Sequence, residues 1–291
     1  MKVAVIGPGA MGCLFAAKLS TAGINTSLVD YRPDRMARLQ KSGLTVETAQ
    51  GVLTAKPSMS SRIPAGQDFV LVLVKSNATN RLQIPDGVPV LTLQNGLNNA
   101  EILSSKIGSA RLMAGVTSEA STLLEEGRVR HAAAGLTVFG AWTSCDTQKA
   151  LSALTTAGFR AEVTDMPGQK IWEKTVINAG INPLTALLNM PNGKIVEIRE
   201  IRQLLRDLVV EATKVAAIEG YRFEYSLVER AEEVCRDTAE NISSMLQDVR
   251  AGRLTEIDAI SGEIIRRAEL ASLPTPRTRI IWQLMKGIEQ R

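Results

Sequence analysis

Residues Lys2–Gly12, KVAVIGPGAMG, decide the fold. Val3 to Ile6 is a short apolar run that passes at once into Gly7-Pro8-Gly9-Ala10-Met11-Gly12 and then a helical pattern, Leu14 to Leu19, ending near Gly23. The order is strand, glycine loop, helix. In such a unit the first glycine permits the tight turn, the second lets the backbone approach a pyrophosphate, and the third lets helix and strand pack closely. The helix N-terminus then faces the phosphates. Alone, GxGxxG is a weak signal, but here it stands in the right strand and helix context. A second strand, Thr26 to Val29, ends in Asp30, about where a ribose-binding acid is expected. These residues predict a dinucleotide-binding, doubly wound sheet of the Rossmann type.

Asp30 also bears on which dinucleotide is taken. A carboxylate there accepts hydrogen bonds from the ribose 2′-hydroxyl of NAD and repels the 2′-phosphate of NADP, whereas Arg32 and Arg35 just beyond could pair with that phosphate. These residues lean toward NADH. Both arginines also read as solvated charges opening the next helix, Asp34 to Gln40, and for Arg35 that is the preferred reading.

Further along, Leu44–Glu47 and Val52–Ala55 look like short strands, and Asp68–Lys75, DFVLVLVK, is a continuous apolar run of the kind found in a buried parallel strand. Lys75 closes that run at the edge where an open α/β sheet meets its ligand, so it is either a cofactor contact or an exposed strand end. Val88–Leu93 repeats the pattern and ends in Gln94-Asn95-Gly96, where Asn95 is either a turn former or a ligand contact. A helix from about Asn98 to Ile107, strands at Arg111–Ser118, Val129–Ala132 and Leu136–Phe139, a helix Asp146–Thr156 and a strand Arg160–Val163 complete this half. His131, the one histidine, falls in an outer strand and reads as structural.

After Asp165-Met166-Pro167-Gly168 long helical patterns take over: Lys170–Met190, Glu197–Glu219, Leu227–Arg250, Glu256–Leu270 and a last one beyond Pro276. The prediction is an α/β domain over 1–165 followed by an all-helical domain over 166–291. Within the second, Lys174, Asn178 and Asn182 recur every fourth residue, and a helix of about 3.6 residues per turn places them on one face. Trp172, Val176, Ile177 and Ile181 would hold that helix to a core while the polar row looks into a cleft. Asn182-Pro183 also reads as N-cap and first helical residue, so the segment is either one helix or two with a break. Asn241 and Ser244 read as a second polar patch on one helical face, and Glu256 as a first-turn charge with Thr255 as cap.

Composition sets outer limits. The chain has 291 residues and a net charge of +4, with an isoelectric point near 9.0 and no run of basic residues interleaved with aromatics. Nucleic acid is therefore a poor partner, while a mild positive field suits an anionic substrate or cofactor. Cys13, Cys145 and Cys235 are scattered, odd in number and without metal-ligand spacing, which predicts free thiols in a reducing, cytoplasmic setting. No window is apolar for the length of a membrane span. A homodimer is compatible with the amphipathic helices, which bury a face equally well within or between chains.

GPGAMG, the LVK at Lys75, the QNG at Asn95, WEKTVINAGINPLTALLNMPNG and AENISSMLQDVRAGRLTEIDAISG run in order through nearly the whole chain, and together they resemble the ketopantoate reductases. The resemblance implies a Rossmann domain, a helical domain, a small keto acid substrate held between them, and reduction of ketopantoate to pantoate by NADPH on the way to pantothenate and coenzyme A. It implies Lys174 as proton donor, Asn178, Asn182 and Asn192 as substrate amides, and Asn241 through Ser244 as further substrate contacts. Gly7 to Gly12, Lys75, Asn95 and Glu256 would contact the cofactor, with Asn95 near substrate as well. One departure stands out: the family offers an arginine to the 2′-phosphate at the end of the second strand, where this chain reads Val29-Asp30-Tyr31-Arg32, so NADH is an alternative to NADPH. The rival readings are a reductase of another 2-keto acid on the same fold and a dinucleotide sensor without catalysis.

Overall fold

The computed structural model describes residues 1–290. Strands β1 (Lys2–Ile6), β2 (Asn25–Val29), β3 (Leu44–Thr48), β4 (Gly51–Ala55), β5 (Ser58–Ser60), β6 (Phe69–Val72), β7 (Val90–Thr92), β8 (Leu112–Thr117), β9 (Ala120–Glu125), β10 (Arg128–Ala133), β11 (Leu136–Ala141) and β12 (Arg160–Val163) occupy the N-terminal half. They alternate with helices α1 (Ala10–Thr21), α2 (Pro33–Ser42), α3 (Asn99–Ile107) and α4 (Gln148–Thr156). The larger sheet runs β12-β11-β8-β7-β6-β1-β2-β5, parallel throughout except where β11 meets β8. Strand β1 lies in its interior, with β2 and β6 on either side, so the order reverses at β1 and its glycine loop opens at the switch point.

A second sheet, β4-β3-β10-β9, was not foreseen as a separate layer. Strand β10, which carries His131, pairs there with β3 and β9 and is no outer strand of the main sheet. Helix α1 packs against β1 and β2 on one side and against β3, β4, β9 and β10 on the other, which is why its sequence is apolar nearly all round. Phe15 of α1 stacks on Phe159 with ring centroids 4.1 Å apart. All three cysteines are free and buried, and burial pushes the Cys13 and Cys235 thiols up to about 12.

The helical half comprises α5 (Pro167–Leu188), α6 (Asn192–Glu197), α7 (Arg199–Ile218), α8 (Leu227–Asp237), α9 (Ser244–Arg250), α10 (Glu263–Leu270) and α11 (Pro276–Ile288). By its contacts the chain forms two compact units: Met1–Gln94 with Asn99–Lys170, and Asn95–Asn98 with the segment from Ile171 onward. Among the described residues no helix is long and apolar enough to cross a membrane. Trp172, Val176, Ile177 and Ile181 of α5 and Leu205, Leu208, Val209 and Ala212 of α7 share one buried cluster. The two helices approach closely at Gly180, where an added Cβ would lie 2.8 Å from Val209 Cγ2.

Helix α5 is continuous with Pro183 inside it, so Asn182 is not an N-cap; the side chain of Thr185 donates back to the Asn182 carbonyl at 2.8 Å. The pattern read as one helix over Leu227–Arg250 divides into α8 and α9, because Ser243 caps a fresh start by accepting from Leu246 N at 3.0 Å. Asn241 lies before that cap, so it does not share a helical face with Ser244. The segment at Glu256 is a bend that enters a π-helical turn over Asp258–Gly262, and Glu256 therefore does not sit in a regular first turn.

Glu232 of α8 is the main polar tie inside the helical unit. It is 3% exposed and accepts from Arg202 and Arg206 of α7 and Arg236 of its own helix at 2.5–2.8 Å. These guanidiniums, Arg202 first, hold its carboxyl down to about 2. Stability from Glu232 is therefore complete above the ordinary carboxylate range and is lost as pH falls toward 2. Glu232→Gln is expected to lower stability at pH 7 by about 1–3 kcal/mol, and by much less at pH 3, in urea melts followed by circular dichroism; an equal loss at both pH values would contradict the ion-pair reading.

Candidate active site

The glycine loop has the shape a pyrophosphate requires. Gly7 has φ +102° and donates its N–H to Val29 O at 2.9 Å; a Cβ there would meet Val74 at 2.8 Å. A Cβ on Gly12 would lie 1.7 Å from Gly7 O, so α1 can press against the loop only with glycine at that position. Gly9 instead faces open space, with nothing within 4 Å of an added Cβ. It is the N-cap of α1, whose first turn carries neither a capping side chain nor an acidic residue. Loop, open approach and uncapped helix start fit the phosphates of a dinucleotide.

At the end of β2, Asp30 is 6% exposed, and Arg35 Nη1 lies 3.3 Å from its Oδ2. Arg35 Nη2 donates to Pro8 O of the glycine loop at 3.0 Å. Arg35 is thus no freely solvated helix opener; its side chain ties the end of β2 to the glycine loop. Arg32 is more exposed and pairs with Asp34 at 3.4 Å. Lys75 is partly buried and precedes the 3₁₀ turn Ser76–Arg81 that follows β6. A buried network the sequence did not disclose fixes that edge of the sheet: Gln94 Nε2 donates to Val74 O at 2.9 Å and to Thr79 Oγ1 at 2.7 Å, and Thr79 Oγ1 donates to Asn99 Oδ1 at 2.8 Å. It joins the loops after β6 and β7 to α3, and no local pattern marks these residues, because they meet only through sheet order.

In the helical unit, continuous α5 places Lys174, Asn178 and Asn182 on one face. Asn182 is 7% exposed, and Lys174 and Asn178 are partly buried. Burial lowers the Lys174 pKa to about 8, while the Glu256 carboxylate acts in the opposite direction. Glu256 in turn accepts from Asn95 Nδ2 at 3.1 Å. The Asn95 turn is held there by backbone: Leu97 N donates to Ala259 O at 2.8 Å, and Gly96, at φ +83°, leaves no room for a Cβ against that carbonyl. A lysine poised near neutrality, two amides in register with it and an Asn–Glu pair make a set able to bind an oxyacid and hand it a proton.

Asn192 is 8% exposed; its Nδ2 donates to Thr238 Oγ1 at 2.8 Å, and its Oδ1 is buried with no hydrogen-bond partner. Its backbone N–H donates to Asn241 O at 2.9 Å, bringing the start of α6 to the loop before α9. Asn241 and Ser244 are themselves exposed, and the buried hydroxyl is that of Ser243, 2.6 Å from Thr185 Oγ1. His131 pairs with buried Glu119 in the second sheet.

Two family models match the chain in sequence order: "Ketopantoate reductase PanE/ApbA" over residues 3–144 and "Ketopantoate reductase PanE/ApbA C terminal" over residues 168–289. The chain is 34% identical to the 2-dehydropantoate 2-reductase of Halobacterium salinarum, with 98% of each covered. Among solved structures it resembles a PanE/ApbA family ketopantoate reductase from Ralstonia eutropha, with TM-score 0.90, 29% identity and 100% and 99% of the two chains covered. D-mandelate dehydrogenase, solved with NADH and anilino(oxo)acetate, shares the fold with TM-score 0.92 over 100% and 99% of the two chains, at 23% identity. The glycine loop and the lysine–asparagine helix thus lie in a chain matched over nearly its whole length, and that chain belongs to the ketopantoate reductase family.

Proposed function

We propose that this protein reduces 2-dehydropantoate (ketopantoate) to pantoate with a reduced nicotinamide dinucleotide, a step toward pantothenate and coenzyme A. The observation that carries the proposal is Lys174, lowered to about 8 on the same helical face as Asn178 and Asn182. On this reading residues 1–165 bind the dinucleotide and residues 166–291 bind the substrate. Gly7, Pro8, Gly9, Ala10, Met11 and Gly12 receive the pyrophosphate, Asp30 and Arg32 stand at the ribose, and Lys75 is a further cofactor contact. When bound, the reduced nicotinamide supplies the hydride for the keto carbon.

Lys174 Nζ donates the proton to the substrate's keto oxygen and is reprotonated from water, so the negative charge that would develop there is met by an ammonium. Asn178 and Asn182 hold the substrate by amide hydrogen bonds, and Asn192 brings an acceptor that the protein leaves unmet. Asn241, in the loop before α9, and Ser244, at the first position of α9, contact the substrate. Asn95 and Glu256 contact the cofactor, Asn95 also lies near the substrate, and the Glu256 carboxylate keeps Lys174 from losing its proton too early. Buried Asp30 favours NADH over NADPH.

The test is absorbance at the nicotinamide band with ketopantoate, run with each dinucleotide and repeated across other 2-keto acids. A far better rate with another keto acid would overturn the substrate, since the fold alone is shared with D-mandelate dehydrogenase. Asn182→Ala bears on the amide row. Because Asn182 lies in a helix interior, alanine should leave the melting temperature unchanged or higher, while KM for ketopantoate rises about tenfold or more, the worth of a lost substrate hydrogen bond. A lower melting temperature with unaltered kinetics would assign Asn182 to structure alone.

A further inference from the structure

The ribose corner holds one residue that comes from a distant part of the chain and that the family's motifs do not include. Glu126 sits in the turn between β9 and β10, where Arg38 Nε and Nη2 donate to its two carboxylate oxygens at 2.9 and 3.1 Å. Arg35 Nε lies 3.6 Å from Glu126 Oε2, a buried donor that completes no hydrogen bond. Arg38 also reaches Asp34 at 3.0 Å, and Arg32 shares that Asp34. Arg32, Arg35 and Arg38 are thus matched by Asp30, Asp34 and Glu126.

The turn is fixed by backbone. Gly127 has φ +80°, and its Cβ position falls 2.7 Å from Leu39 Cδ2 and 3.0 Å from Gly43 O. Gly127 O accepts from Thr45 N at 2.8 Å. The hairpin is therefore pressed against α2, and Glu126 is delivered to the first turns of that helix by packing of the second sheet. Arg38 first, then Arg35 and Arg32, hold its carboxyl below the usual range, so it is charged wherever a cofactor would compete with it.

We propose that Glu126 is a specificity-determining residue for the dinucleotide. Its carboxylate engages the guanidiniums of Arg35 and Arg38 that a 2′-phosphate would need, and so turns the corner toward a cofactor with a free 2′-hydroxyl. The inference rests on the dinucleotide reading of the glycine loop. A 2′-phosphate brings a charge of about −1.5 to −2. It would enter a corner whose three arginines are already balanced by three carboxylates. With Glu126 neutralised, the balance becomes positive by one, and Arg38 Nε and Nη2 join Arg35 Nε as donors directed to one place, the geometry that suits a phosphate.

The experiment measures equilibrium binding of NADH, NADPH, 5′-AMP and adenosine 2′,5′-bisphosphate to the full chain, by nicotinamide fluorescence and by calorimetry. The parent protein should bind NADH more tightly than NADPH. Glu126→Gln should shift the NADPH-to-NADH affinity ratio, and the bisphosphate-to-AMP ratio with it, by about 10- to 100-fold toward the 2′-phosphorylated partner, the worth of one or two charge-assisted hydrogen bonds. Adding Arg35→Gln to Glu126→Gln should cancel much of that gain. Glu125→Gln, which removes an exposed carboxylate paired to Arg128 instead, should move the ratio by less than about threefold. A ratio in Glu126→Gln within about threefold of the parent's, or a parent protein that already prefers NADPH, overturns the assignment. If none of the four nucleotides binds, the dinucleotide reading fails and this inference with it, an outcome distinct from binding with an unaltered ratio.

Discussion

Lys174→Met should lower kcat for ketopantoate reduction by about two to four orders of magnitude, the contribution of a positioned general acid, while the affinity for dinucleotide stays as it was. On the proposed mechanism the same group should set a pH dependence in the parent enzyme. The proton donor must carry its proton, and burial places the Lys174 pKa at about 8, so kcat/KM should be level below pH 8 and fall about tenfold per unit above it. Stability moves the other way. An unfolded lysine holds its proton to about 10.5, so between pH 8 and 10.5 the unfolded chain binds more protons than the folded one, and stability rises with pH across that window. Below pH 8 the buried ammonium costs the fold up to the order of 3 kcal/mol, an upper bound because solvent still reaches part of the side chain. Lys174→Met should therefore be as stable as the parent at pH 7 or more so. Turnover near the parent's would remove Lys174 from catalysis, and a large loss of stability would make it a structural residue.

The second large effect is expected at Gly12. A Cβ placed 1.7 Å from Gly7 O cannot be absorbed by a rotamer change, since the Cβ is fixed to the backbone of α1, the oxygen is loop backbone, and α1 is packed on two sides. Gly12→Ala should cost about 3–5 kcal/mol and abolish dinucleotide binding together. Gly9→Ala separates the two consequences. Gly9 has φ −80°, which alanine adopts freely, and its Cβ would point into open space. The melting temperature should stay within a degree or two of the parent's, by the usual size of a surface substitution, while NADH affinity falls as a methyl group intrudes where the phosphates approach. Thermal melts and fluorescence titrations on the two variants check both halves. Undiminished NADH affinity in Gly9→Ala would show that the loop is not the pyrophosphate cradle, and a normally stable Gly12→Ala would refute the steric argument.

Much of this molecule was legible before its structure. The strand, glycine loop and helix at the N-terminus, the buried parallel strand at Phe69–Val72 and the change to helices after Asp165 all follow from hydrophobic period and glycine placement, which are local properties. The fourfold spacing of Lys174, Asn178 and Asn182 is of the same kind. It becomes one face only if the helix is continuous, and Asn182-Pro183 also allows a break. Packing of α5 on α7 carried the helix through the proline. In the opposite sense, the apolar pattern from Leu227 to Arg250 suggested one helix, yet the cap at Ser243 and the backbone bonds from Asn192 and Gly193 to residues 239 and 241 interrupt it.

By itself the sequence determined the N-terminal strand, glycine loop and helix, the change from strands to helices and the residue types of the lysine helix, because each depends on neighbours within a few positions. Tertiary structure alone decided that Asn95 meets Glu256, that Thr79, Gln94 and Asn99 form one network, and that Glu126 shares Arg35 with Asp30 and Arg38 with Asp34. Those partners lie on different strands, loops and helices, and which of them face one another is set by sheet order, close glycine contacts and buried packing, none of which a local period encodes.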